Sequence, residues 1–369
     1  MSIIFRSFFL GAILLGSSYS AIAQNDTIIE DEEDYSMYDD VEDVGEITTY
    51  CSPKIFDLSP NRFISIGHDF AAAGKLTTSR EGAYAPDSVP GNTTRSGSVF
   101  YNGLRINANI PVVSKSSIVW QMGGGINQAR FNAQNIDTGD HGRFIDELEK
   151  GLTSVNLNTT IFKPLGEKNF LILQVMGELN GNYTFKNSNS VPKFENTRLS
   201  STLLWGKRPH DRLQWGVGLS RTFRAGEMNY IPIVMYNYTS KNRKWGTEIL
   251  FPAKAAYRRK FNPTNILLIG YELEGTTYRL YDTKFNAQNL ELRRSEIRIR
   301  LDYQRQIKGF YWMGIQAGVI ANYNFSVDDL TATNNKEFFR GFFGEQTFTF
   351  LNGMSPMPYV NISFNLVSL

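Results

Sequence analysis

Residues Phe310–Phe325 read FYWMGIQAGVIANYNF. Every second residue from Tyr311 gives Tyr, Met, Ile, Ala, Val, Ala, Tyr, Phe, and the positions between give Phe, Trp, Gly, Gln, Gly, Ile, Asn, Asn. A strand turns successive side chains to opposite faces, so the stretch predicts one long strand with an oily face that ends in aromatics and a second face of glycines and amides. A soluble sheet would bury the oily face in a core and give the other to bulk water. Amphipathic rings at both ends of an apolar band suit a strand that crosses a bilayer, where they sit at headgroup level.

The same period of two recurs from Arg62 onward. It predicts strands at about 62–78, 95–110, 117–132, 151–163, 169–185, 195–206, 212–224, 228–240, 245–251, 254–262, 265–281, 290–307, 310–327 and 357–369. Many exceed the five or six residues of a typical soluble strand and reach the roughly 9–11 that a tilted transmembrane strand needs. Tyr and Trp recur near the ends of apolar parities, at Trp120, Tyr183, Trp205, Trp215, Tyr311 and Tyr323. Short connections, PVVSKSS, PLGEKN, KRPHDR, SKNRK, NPTN and QIKG among them, largely alternate with long ones at 79–94, 133–150, 186–194, 282–289 and 328–356. Short turns at one end and long loops at the other are how outer-membrane meanders are built. A bilayer forbids open sheet edges, so the expected fold is all-β: a closed antiparallel transmembrane β-barrel of about 14 strands. The count is 14 if WGTEILF and AKAAYRRKFN are separate strands around Pro252, with 12 as the alternative.

The N-terminus sets the compartment. Arg6, the apolar block FFLGAILLG and the sequence AIA before Gln24 predict a secretory signal over residues 1–23. Residues 24–58 are expected to form an acidic, disordered periplasmic arm, and 59–369 the barrel in the cell outer membrane. Between Gln24 and Tyr50 there are 11 acidic residues and no basic one; residues 51–369 then hold 37 bases against 25 acids, a surplus of 12. A block of like charge repels itself and does not fold alone. A lone cysteine, Cys51, allows no intramolecular disulfide.

The segments SPKIFDLSPNRFISIGHDF and YIPIVMYNY…KWGTEILFPAKAAYRRKFN resemble an uncharacterised family of outer-membrane β-barrel proteins of Gram-negative bacteria. The resemblance covers about 60–369 and implies a barrel built by the assembly machinery of that membrane and embedded in its lipid. It brings no activity with it. The chain ends in Leu369, where many such proteins end in an aromatic residue.

Chemistry is sparse. An acyl-ester hydrolase of this kind needs a histidine base two residues from a serine nucleophile, and none of His68, His141 and His210 has one. Asp140 beside His141 is the pairing that barrel proteases use to activate water, without a second acidic pair opposite. No phosphate loop, dinucleotide fingerprint or metal-ligand spacing is present, so no cofactor, metal or nucleic-acid partner is expected. The polar parity of the strands at 265–281 and 290–307 is the better lead: Glu272 and Glu274 face the same lumen wall as Arg294, Glu296, Arg298, Arg300 and Asp302. These residues would either fill a narrow barrel as cross-strand ion pairs or form a constriction that selects solutes. The first expectation is a non-enzymatic pore for small solutes. The second is a structural or partner-binding component acting through its arm and long loops, and the third a lipid-acting enzyme.

Overall fold

The computed structural model describes residues 50–80, 95–135, 142–183, 194–222, 229–280, 290–329 and 348–367. Fifteen strands run β1 (Arg62–Arg80), β2 (Arg95–Lys115), β3 (Ile118–Gln134), β4 (Leu152–Pro164), β5 (Asn169–Gly181), β6 (Arg198–His210), β7 (Leu213–Thr222), β8 (Asn229–Thr239), β9 (Trp245–Phe251), β10 (Lys254–Asn262), β11 (Asn265–Arg279), β12 (Leu290–Lys308), β13 (Tyr311–Asp329), β14 (Phe348–Met354) and β15 (Met357–Val367). Among the described residues one α-helix, α1 (Gly142–Lys150), precedes β4.

From β1 to β13 each strand pairs antiparallel with the next, and β15 pairs with both β13 and β1, which closes the sheet. β9 and β10 are separate strands joined at Pro252–Ala253, which gives 14 positions around the barrel rather than 12. The fifteenth strand adds no position, because β14 and β15 occupy one slot end to end. β14 lies along Leu76–Arg80 of β1 and β15 along Arg62–Ala71. At the break the Ser355 N–H donates to Lys75 O at 2.9 Å, and the Lys75 N–H donates to Ser355 Oγ at 2.8 Å. The expected loop 328–356 therefore contains a strand. Its Asn352-Gly353 reads as a turn signal in sequence, yet the two residues sit in register with Thr78 and Thr77.

The apolar parities face outward. Ile299, Leu301, Leu203, Leu219, Val360 and Phe364 are exposed on the exterior, while their neighbours Arg298, Asp302, Leu204, Ser220, Asn361 and Ser363 are buried inside. Around the short-turn end the exterior carries a row of rings, with Trp205 edge-on to Trp215 at 5.8 Å and Trp245 beside both Tyr238 and Tyr257. Tyr183 is not part of such a girdle; it is buried and its hydroxyl donates to Leu179 O at 2.6 Å.

The opening stretch obeys its alternation with one exception. Ser295 pairs with Asn324 and Glu296 with Asn322, so Tyr323 is the extra residue of a bulge. Beyond it the parity flips. Phe325, outward by simple alternation, turns inward, is 1% exposed and packs on Phe131 at 5.3 Å between ring centres.

Wall height is uneven: β1, β12 and β13 have 19 residues each, β9 seven and β10 nine. Above the low hairpin, β11 leaves β10 and reaches β5, where Arg279 pairs with Gly181 and the Asn182 N–H donates to Arg279 O at 3.2 Å. The upper end of β12 is accordingly buried on both faces from Leu290 to Glu296, and Arg198 at the start of β6 makes an ion pair with Glu291 on its outer side. The barrel wall overlaps itself there.

Candidate functional site in the barrel interior

The interior is layered. At the short-turn end, residues Cys51–Asn61 run along the inside of the mouth. The Cys51 N–H donates to Gly166 O at 3.1 Å and the Phe56 N–H to Asp211 O at 2.8 Å. Asp57 takes Arg243 at 2.5 Å and Lys260 at 2.6 Å, while Glu248 accepts from both the N–H and the hydroxyl of Ser59 at 2.8 Å. Cys51 and Ile55 are each 3% exposed, and Cys51 packs with Phe170, Leu204 and Met235. Burial pushes the Cys51 thiol up, and the paired cations hold the Asp57 carboxyl below its ordinary value despite its partial burial. The expected arm boundary at Leu58 thus falls inside a segment that is packed against the barrel from Cys51 onward. Composition misses this, because residues 51–58 carry one base and one acid and read as neither arm nor strand.

Above that segment is a chamber of about 610 Å³. Glu272, Arg300 and Asp302 line it together with Arg62 and Lys254. Glu272 and Arg300 pair at 2.5 Å, and Asp302 accepts from Arg62 at 3.3 Å and from Gln316 at 3.2 Å.

The chamber's roof is an ion-pair network. Arg298, 1% exposed, reaches Glu296 at 2.7 Å, Asp69 at 2.9 Å and Glu274 at 3.4 Å. Arg105 donates to both oxygens of Glu274 at 2.8 and 2.7 Å and to Asp69 at 2.7 Å, and Arg294 holds Glu296 at 2.8 Å. Three guanidiniums thus meet three carboxylates, and the cluster is neutral as a whole. Planar guanidinium groups suit this sharing because each offers donors in a rigid fork. Arg294 lies over the rings of Tyr101 at 4.6 Å and Phe131 at 5.1 Å, where cation–π attraction joins the charged layer to an apolar one. That uppermost layer holds Leu76, Val99, Phe131, Leu292, Phe325 and Val327, joined by Ile145 and Leu148 of α1.

All seven sequence-predicted residues face the interior, but they divide. Arg294, Glu296, Arg298 and Glu274 belong to the network; Glu272, Arg300 and Asp302 face the chamber below it. Register sets Glu272 opposite Arg298 and Glu274 opposite Glu296, and the ion pairs form diagonally to it, Arg298 with Glu274 and Arg300 with Glu272, which divides the set. Sequence reading missed Asp69 and Arg105 on β1 and β2. Their inward parity is legible beside Gly67 and Gly103, but their approach to β11 and β12 depends on how the barrel closes.

His68 faces outward against the Phe70 ring at 4.3 Å; His210 lies at the β6–β7 turn, where its Nδ1 accepts from the Arg212 N–H at 3.3 Å. His141 is outside the described residues. Among the described residues no three His, Cys, Asp or Glu side chains are grouped to hold a metal.

No curated protein matches the chain. Among solved structures it is similar to the COG4313 outer membrane channel from Pseudomonas putida F1, at 9% identity over 88% of this chain and 100% of that one, with a TM-score of 0.38. It is similar also to the Pseudomonas putida toluene transporter TodX, at 7% identity over 86% and 95% of the two chains, with a TM-score of 0.34. The outer membrane protease OmpT from Escherichia coli aligns at 9% identity over 83% and 96%, with a TM-score of 0.23. The family described as a domain of unknown function (DUF6268) matches residues 88–366, from the connection before β2 to the last turn of ladder in β15, and the chain belongs to that family.

Proposed function

We propose that this barrel is a non-enzymatic outer-membrane channel for small solutes, shut in the conformation described by the chain segment at its short-turn mouth. An apolar exterior on a closed sheet is stable in lipid and aggregation-prone in water, which argues for the membrane. One observation carries the channel reading: a charge-lined chamber of about 610 Å³ is bordered at its mouth by Lys54 and by residues 58–61, which are not part of the wall. A segment held by side-chain ion pairs and a few backbone bonds can leave without unzipping a ladder. Glu272, Arg300 and Asp302 then set which ions pass, as charged rings do in other pores.

Single-channel recording on the refolded chain 24–369 in planar bilayers tests this. Asp57→Asn combined with Glu248→Gln should raise the open probability of an otherwise quiet barrel. In that background Arg300→Gln should shift selectivity toward cations and Glu272→Gln toward anions. Silence from the inserted, folded double variant would overturn the channel reading and favour the second one, a barrel that serves as a partner-binding component. The packed upper layer and neutral network are the features that favour that alternative.

A further inference from the structure

Where the wall overlaps itself, a second cavity of about 220 Å³ lies between two layers of strand. One side is the inner face of β6–β8, with Ser200, Ser220 and Ile231. The other is the outer face of β11, at Leu273 and Gly275. Tyr323, 57% exposed on the exterior of the barrel, also borders it, so the cavity gives onto the lipid side. At depth it abuts the central chamber, since Leu250 and Glu274 line both.

Two features make this more than a packing gap. First, the ladder that joins β8 to β11 through the β9–β10 hairpin is short: β9 follows β8 only from Val234 to Thr239, and β10 follows β11 no higher than Glu272. The wall above is held by the Arg279–Gly181 pairing, the Asn182 N–H bond to Arg279 O, the Arg198–Glu291 ion pair and packed layers, which part more easily than a full ladder. Second, Ser200 lines the cavity at 6% exposure, and its Oγ is buried without a hydrogen-bond partner among the described residues. Thr202 and Ser220 nearby satisfy each other at 2.8 Å. A buried hydroxyl without a partner is costly, and a ligand atom that bonds it removes the cost.

We propose that this cavity binds a small, chiefly apolar molecule carrying one hydroxyl or carbonyl, admitted from the bilayer through the overlap and held by a hydrogen bond to Ser200 Oγ. Leu250 and Glu274 form the partition toward the charged chamber; only onward passage across it rests on the channel reading.

The test is binding of 1-naphthol to the full mature chain in phospholipid nanodiscs, followed by the probe's fluorescence, with naphthalene as the partner lacking the hydroxyl. Saturable binding of one 1-naphthol per barrel is expected. Ser200→Ala should weaken 1-naphthol about fivefold, the loss of one ordinary hydrogen bond, and leave naphthalene unchanged. Ser200→Trp should abolish both, and Ile231→Trp fills the cavity from the next strands should the first variant fail to fold. Absence of saturable binding, because acyl chains keep the cavity or because it stays shut, overturns the proposal. So does a Ser200→Ala effect equal for the two probes. Ser200-dependent binding to a barrel that is electrically silent keeps this site and removes the channel; conductance without such binding does the reverse.

Discussion

Arg298 is the residue on which the interior turns, because three carboxylates from three strands converge on one guanidinium that is 1% exposed. Removing one partner of a buried pair leaves the others charged and desolvated, at a cost of about 3–5 kcal/mol. Arg298→Met should therefore lower the unfolding free energy of the refolded barrel in urea by that order, with Arg298→Lys in between, since an ammonium keeps the charge and loses the fork. A Met variant as stable as the parent would mean that the network adds nothing. Lys54 gives the residue scale a pH dependence. Burial holds its ammonium down to about 8 from an ordinary 10.5, against a smaller opposing pull from Glu248. A released Lys54 binds its proton more tightly than a seated one, so the seat gains stability as pH rises from about 8 to 10.5 and is indifferent below that. Protection of residues 51–61 from added protease should rise over this window in the parent. In Lys54→Met it should already be high at pH 7 and stay flat.

Strand alternation was legible almost everywhere, because inside and outside differ so sharply in polarity that one face per strand is oily. It failed where backbone irregularity intervened. The bulge at Tyr323 cannot be read from FYWMGIQAGVIANYNF, since the extra residue is defined by its partner strand. It makes a prediction that simple alternation does not. Phe325→Ala should cost about 3–5 kcal/mol, the price of emptying a packed aromatic site, while Tyr323→Ala, which empties no packed site and removes a ring from the exterior, should cost less than half as much. Equal losses in equilibrium unfolding would mean that the bulge is absent in solution. β14 escaped notice for a related reason, its Asn-Gly being held flat by β1 instead of turning.

At the scale of the molecule, the barrel and its charged interior could be read from sequence, whereas the partners of that charge could not. Glu272, Glu274 and the β12 arginines share adjacent strands, so register alone groups them. Asp69 and Arg105 join them across the closure of the sheet, which no local pattern encodes. The seat of residues 51–61 is likewise a long-range fact, made by side chains such as Glu248 and Lys260 that lie some 190 to 200 positions downstream.

The unequal wall has a consequence outside the protein. β9, with seven residues, extends about 23 Å at 3.3 Å per residue and covers less of the membrane normal once tilted, while strands of 19 residues stand on the other side. Lipid meeting the low side must thin, and that deformation costs energy in proportion to the perimeter deformed. Two such barrels that shared one thinned patch would deform less bilayer than two apart, a saving set by the elasticity of the membrane and needing no contact between their chains.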